Sequence, residues 1–214
     1  MPQTPHDLAA LLGSRICHDL ISPLGAIGNG VELLMLDRQA QRPELALIAE
    51  SIANANARIR YFRVAYGAAG GEQTIGRAEV VSILADLTRG TRLGVDWHVQ
   101  SDLPRREVRL AFLGLQCLEA AAPWGGQVVI GREDTGWNLC LEARRLRVEP
   151  AIWAQVTMAA PASAATGDAD PGATGEVAQI GPAQIQFGLL AAALRREGRR
   201  ARLDEEATAL RLRF

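Results

Sequence analysis

The apolar residues between Leu12 and Phe62 recur in steps of four and three. Leu12, Ile16, Leu20, Leu24, Ile27, Val31 and Leu34 form one run, and Leu45, Ile48, Ile52, Ala55, Ile59 and Phe62 a second. This spacing lines up the apolar side chains along one stripe of an α-helix, whereas a strand would need a period of two. The segment from Asp37 to Pro43 breaks the pattern, and Pro43 suits the first turn of a new helix. Two amphipathic helices joined by a short turn make an antiparallel hairpin. Two helices alone cannot cover both stripes. A second copy of the chain supplies the cover as a four-helix bundle across a two-fold axis, and this homodimer is the expectation. The alternative cover is the second half of the same chain.

Gly67 to Gly76 is small and polar and reads as a linker. It divides a helical hairpin, residues 1–70, from an α/β domain, residues 71–214. In that domain a helix is expected over Arg77–Thr88, a strand over Val95–Val99 and a helix over Arg106–Ala121. Strands over Gln127–Arg132 and Trp137–Ala143 meet at the turn-like Glu133-Asp134-Thr135-Gly136. A short helix over Pro150–Met158 precedes a loop, Ala159–Gly175, rich in Ala, Gly, Pro, Thr and Asp. A helix over Pro182–Glu197 and strands over Arg200–Leu203 and Ala209–Phe214 complete the chain. This mixed order predicts an α+β fold whose sheet carries helices over one face. Trp97, Trp124, Trp137 and Trp153 all fall in the second half and are expected to anchor its core.

Composition narrows the function. At 48% hydrophobic residues and a net charge of −1, the chain can bury a core and carries no global basic field for nucleic acid. All 23 basic residues are arginine, which excludes lysine nucleophiles and a P-loop lysine. Cys17, Cys117 and Cys140 are odd in number and far apart, fitting neither a disulfide framework nor a zinc site. Asp96, Glu119 and Glu142 make no metal spacing. No apolar run reaches the length of a membrane span, and Met1 to Pro5 lacks a signal-peptide pattern. The expectation is a cytoplasmic protein with no metal or organic cofactor.

One short run carries a nameable chemistry: Cys17-His18-Asp19-Leu20-Ile21-Ser22-Pro23-Leu24. Each helical residue turns by about 100°, so His18, two positions from both Ile16 and Leu20, lies nearly opposite the apolar stripe. Its own face carries Arg15, Ser22, Gly25 and Asn29, which are polar or small and leave room for something large. Pro23 removes a backbone donor and bends the helix near His18. A neutral imidazole is a nucleophile near neutral pH, and Asp19 can orient it or take its proton. The bland alternative is a solvated surface histidine. His6 reads as a residue of the helix start, His98 as structural and Cys17 as core packing.

The string His18-Asp19-Leu20-Ile21-Ser22-Pro23-Leu24-Gly25-Ala26-Ile27 resembles the H-box of sensor histidine kinases. In that family the histidine is the phosphoacceptor on a dimeric helical hairpin, followed by an α/β ATP-binding domain. The departures matter. Ile21 stands where kinases carry a basic residue. The helix corresponding to the kinases' asparagine-bearing one is Leu113-Gly114-Leu115-Gln116-Cys117-Leu118-Glu119-Ala120-Ala121, without asparagine. The glycine-rich nucleotide boxes are missing, with Ile185-Gln186-Phe187-Gly188 in place of the second. An H-box joined to a degenerate kinase domain resembles the ChpT-type histidine phosphotransferases.

That resemblance implies a phosphorelay role: a phosphoryl group taken from a receiver-domain aspartate of a hybrid kinase and passed to response-regulator receiver domains. His18 would be the phosphoacceptor and Asp19 its flanking acid. Arg15, Ser22, Gly25 and Asn29 would meet the docked receiver or its phosphoryl oxygens, and the receiver would bring the magnesium. The competing readings are a non-catalytic scaffold that occupies kinases or receivers, and a divergent ATP-dependent histidine kinase.

Overall fold

The computed structural model describes residues 20–21, 24–34, 43–67, 73–133, 136–158 and 181–214. The chain forms two compact units, one of Met1–Arg89 with Asp102–Arg109, the other of Gly90–Ser101 with Leu110–Phe214.

In the first unit, residues 20–21 and 24–34 are helical, and we call the longer stretch α1. Helix α2 spans Pro43–Ala65, with Pro43 at its start and Glu44 in its first turn. A Cβ built on Gly28 would lie 3.4 Å from Ile52 Cγ2, so the two helices meet there. Gly28 lies six residues before the end of α1 and Ile52 nine after the start of α2, as an antiparallel hairpin requires.

The apolar stripes split cleanly. Val31, Ile52 and Ile59 are buried, whereas Leu20, Ile27, Leu34 and Ile48 are each more than two-fifths exposed. One half of the seam faces the partner helix and the other half faces outward. Helix α2 also has a second apolar edge, Ala57, Tyr61, Val64 and Ala65, all buried. It is covered by α3 (Arg77–Thr88), which buries Val80, Ile83 and Leu84. Asp86 of α3 accepts from Arg60 at 2.9 Å and from Arg89 at 2.9 Å, tying the two helices at their rim.

Much of the expected linker is undescribed, but its end is ordered: β1 (Thr74–Ile75) pairs antiparallel with β3 (Leu103–Pro104). That ladder brings the first turn of α4 (Arg105–Ala121) to the end of α2. Arg105 Nη2 donates to Arg63 O, and Arg109 Nε donates to Ala65 O at 3.2 Å. The last carbonyls of a helix have no partner within it, so these guanidiniums satisfy them and complement the negative helix end. Gly67 is required there: a Cβ would sit 2.3 Å from Arg63 O.

The second unit is built on a five-stranded mixed sheet in the order β2-β4-β5-β7-β6. Its strands are β2 (Leu93–Trp97), β4 (Gly126–Glu133), β5 (Gly136–Glu142), β6 (Arg202–Glu205) and β7 (Ala209–Arg213). Only β2 and β4 run parallel, joined through α4, as a strand–helix–strand crossover demands. Burial alternates along the strands. Val128, Ile130, Trp137, Leu139, Leu141, Leu210 and Leu212 are buried, while Asn138, Cys140, Arg211 and Arg213 lie on the open face. Helix α4 packs on the buried face, where a Cβ on Gly114 would come within 3.0 Å of Leu139 Cδ2. Helix α5 (Pro150–Thr157) and α6 (Ile185–Arg196), preceded by the 3₁₀ turn Pro182–Gln184, meet through Trp153 and Phe187, edge to face at 5.0 Å.

Leu139 is wholly buried under this helical layer. Truncation deletes three buried carbons and leaves a cavity, so Leu139→Ala should cost about 3 kcal/mol, read as a lower urea midpoint with unchanged slope.

One expectation is corrected. Trp97, Trp137 and Trp153 are core residues, but Trp124 is 48% exposed. It sits in the turn after α4, which Gly125 closes at φ +96° with its N–H donating to Ala122 O at 2.9 Å. The left-handed glycine turns the chain before the indole can reach the core. The strand expected over Val95–Val99 ends at Trp97, although the His98 N–H still donates to Ile130 O and its side chain is exposed.

Candidate functional site

Of the residues singled out for chemistry, Arg15, Cys17, His18, Asp19 and Ser22 lie outside the described residues. Gly25 and Asn29 are on α1, one turn apart and therefore on one face. Gly25 is half-buried, and the space its Cβ would occupy has nothing within 4 Å. Asn29 is exposed. The face that the sequence assigns to His18 is thus open over its described part.

Gly25 carries a prediction. Glycine inside a helix is unfavourable by about 0.5–1 kcal/mol relative to alanine, and here alanine meets no obstacle. Gly25→Ala should therefore raise the thermal midpoint. Gly25→Trp should leave the fold intact by circular dichroism, because it fills an open face.

The cysteine nucleophiles among the described residues are poorly placed. Cys117 lies on α4, and burial pushes its thiol well above the usual range, so it stays protonated. Cys140 is half-buried on the open sheet face. Among the described residues no group of His, Cys, Asp and Glu is arranged to hold a metal ion. No described helix is long and apolar enough to cross a membrane.

Helix α4 is deeply buried among the described residues. Leu113, Leu115, Cys117 and Leu118 are within 1% of fully buried, and Gln116 is 7% exposed. Where its end meets α5 and α6, a cavity of about 40 Å³ remains, lined by Ala120, Ala121, Ile152, Trp153 and Phe187 among others. That space admits a few water molecules, against about 300–1,000 Å³ for ordinary small-molecule sites. Arg147 closes one wall, its N–H donating to Ala121 O and its guanidinium paired with Glu149 at 2.9 Å.

The family of the histidine phosphotransferase C-terminal domain matches residues 77–179. Protein phosphotransferase ChpT of Brucella abortus (strain 2308) is 37% identical over 161 residues, which cover 72% of this chain and 77% of that protein. A solved bacterial phosphotransferase, 25% identical, superposes with a TM-score of 0.62 over 100% of this chain and 98% of its own. The chain belongs to the ChpT-type family of histidine phosphotransferases and is itself a phosphotransferase of phosphorelay signalling.

Proposed function

We propose that this protein is the histidine relay between receiver domains, with His18 as the residue that carries the phosphoryl group. The observation that carries the reading is the His18-Asp19-Leu20-Ile21-Ser22-Pro23-Leu24 run in the sequence, followed by helix α1 with Gly25 and Asn29 accessible. The attacking atom is a neutral imidazole nitrogen of His18. It forms the N–P bond as the P–O bond to the donor aspartate breaks, and the aspartate leaves as a carboxylate. The imidazole proton passes to solvent or to Asp19. The second transfer reverses these bonds on another receiver. Both phosphorylated forms are high in energy, so the exchange is near-balanced and the protein's task is positioning.

Arg15 and Ser22 stand three and four residues from His18, a spacing that helical phase would bring to one face, and a guanidinium and a hydroxyl there would suit phosphoryl oxygens. Gly25 and Asn29 extend that face toward the receiver. The transferring phosphoryl is neutralised by the receiver's own magnesium and charged pocket, and no nucleotide is consumed by this chain. The packing of Trp153 and Phe187 beside the end of α4 supports that reading. The partners are thus the receiver domain of a hybrid histidine kinase and the receivers of response regulators, reached in the cytoplasm.

The working form is a homodimer. The outward half of the seam, Leu20, Ile27, Leu34 and Ile48, is what a two-fold four-helix bundle would cover.

The test is transfer without nucleotide. Mix the protein with a receiver domain carrying labelled aspartyl phosphate, in magnesium, after removing ATP and the kinase. Label should appear on the protein in an acid-labile, base-stable form and then move to a second receiver. A receiver that binds but never transfers label would instead identify a scaffold.

A further inference from the structure

We propose that the second unit carries a mononucleotide site on Trp124, at the end of the sheet where β4 and β7 begin and β5 ends. The site is a concavity of about 930 Å³ whose chemistry comes from Arg92, Trp124, Glu142, Arg144, Arg145 and Glu206. It lies wholly within one compact unit.

The turn that exposes the indole is built rather than loose. Gly125 adopts φ +96°, and a Cβ there would lie 2.3 Å from Arg92 O. The Gly126 N–H donates to that same carbonyl at 3.0 Å. Arg92 is thereby fixed directly beneath the turn that holds up Trp124. On the far side, Arg144 and Arg145 leave the end of β5, and the Arg145 guanidinium lies over the Trp124 ring, 4.5 Å from its centroid. Arg92, Arg144 and Arg145 form no ion pair among the described residues.

The combination selects the ligand class. A bare polyanion would be drawn by three guanidiniums but repelled by Glu142 and Glu206. An apolar ligand would leave all five charges unpaired. A nucleotide uses every group: the base stacks on an indole face, the phosphate takes arginine forks, and the sugar hydroxyls donate to a carboxylate. Arg145, the cation now covering the indole, is the group a phosphate would draw aside, which frees the ring for the base. The volume falls within the usual range for small-ligand sites.

Trp124 also supplies the readout. Of the four tryptophans it alone is exposed, the others being 8% exposed or less. The full-length protein is titrated with AMP, ADP, adenosine and pyrophosphate, following acrylamide quenching of the exposed tryptophan and the heat of binding. AMP and ADP should saturate and shield Trp124 from acrylamide, whereas adenosine and pyrophosphate should bind at least about tenfold more weakly. By calorimetry, Trp124→Ala and the double variant Arg144→Ala/Arg145→Ala should each lose about tenfold or more in AMP affinity. These side chains are exposed, so the variants should melt like wild type.

The site does not depend on phosphoryl transfer, so His18→Ala should bind AMP as wild type does. Four results would overturn the proposal: no saturable AMP or ADP binding up to about 5 mM, pyrophosphate binding as tightly as ADP, undiminished affinity in Trp124→Ala, or lost affinity in His18→Ala. The second would mean a simple anion patch, and the third would move the nucleotide elsewhere.

Discussion

His18→Ala should take up no phosphoryl group from a phosphorylated receiver, while still binding that receiver and sedimenting as wild type does. An alanine has no lone pair with which to open the aspartyl phosphate, and no other described group takes over. His98 has neither the adjacent acid nor the Pro-Leu context that follows His18, and Cys117 is a buried thiol. The loss should therefore be complete, not graded. Folding should survive, since alanine is a better helix former than histidine and the sequence pattern puts position 18 opposite the apolar stripe. Asp19→Asn separates nucleophile from orienter. It keeps the imidazole and removes a proton acceptor, a change worth on the order of a hundredfold in rate with receiver affinity unchanged. Uptake by His18→Ala equal to wild type would remove His18 from the reaction.

Ile27→Glu should convert the proposed homodimer to a monomer at micromolar concentration, measured by sedimentation velocity. Ile27 is 53% exposed on the hairpin, at the centre of an outward row with Leu20 and Leu34, each seven residues away. About half of each side chain remains to be covered, worth about 1 kcal/mol per residue, and the two-fold axis counts each contribution twice. A carboxylate at the middle of that row must be buried unpaired for the bundle to close, which outweighs the apolar gain. Ile27→Met keeps volume and apolarity and should remain dimeric. A wild-type protein that sediments as a monomer at tens of micromolar would mean that the outward row is covered some other way.

The helices were legible in the sequence because their apolar period is strong and their ends are marked. Arg77–Thr88 matches its expected span, and Pro43 and Pro150 both open helices. The sheet's buried strands were legible from alternation, as in Trp137-Asn138-Leu139-Cys140-Leu141. The two-residue pair β1 and β3 was not, because alternation cannot register over so few positions. Nor was the second apolar edge of α2: Ala57, Tyr61 and Val64 repeat at helical spacing, but the longer seam of Ile52, Ile59 and Phe62 dominates the same segment. Trp124 was misplaced because a large aromatic residue is ordinarily core, which outweighed the turn signal of Pro123 before it and the Gly125-Gly126 pair behind it. The run around His18 is read from residue identity and helical phase alone, since His18 lies outside the described residues, whereas the packing beside the end of α4 required the fold, since Trp153 and Phe187 are far apart in sequence.

The end of α2 is held by Arg105 and Arg109, some forty residues further along the chain. The covalent path from Gly67 to β1 is therefore not what keeps the helix end and the first turn of α4 together. A chain cut between residues 68 and 72 would leave two fragments still clasped by the guanidinium–carbonyl bonds, the packing of α2 on α3 and the Arg60–Asp86 pair. Evolution is correspondingly free to lengthen or shorten that stretch, while either arginine is fixed by the carbonyl it reaches rather than by its neighbours in sequence.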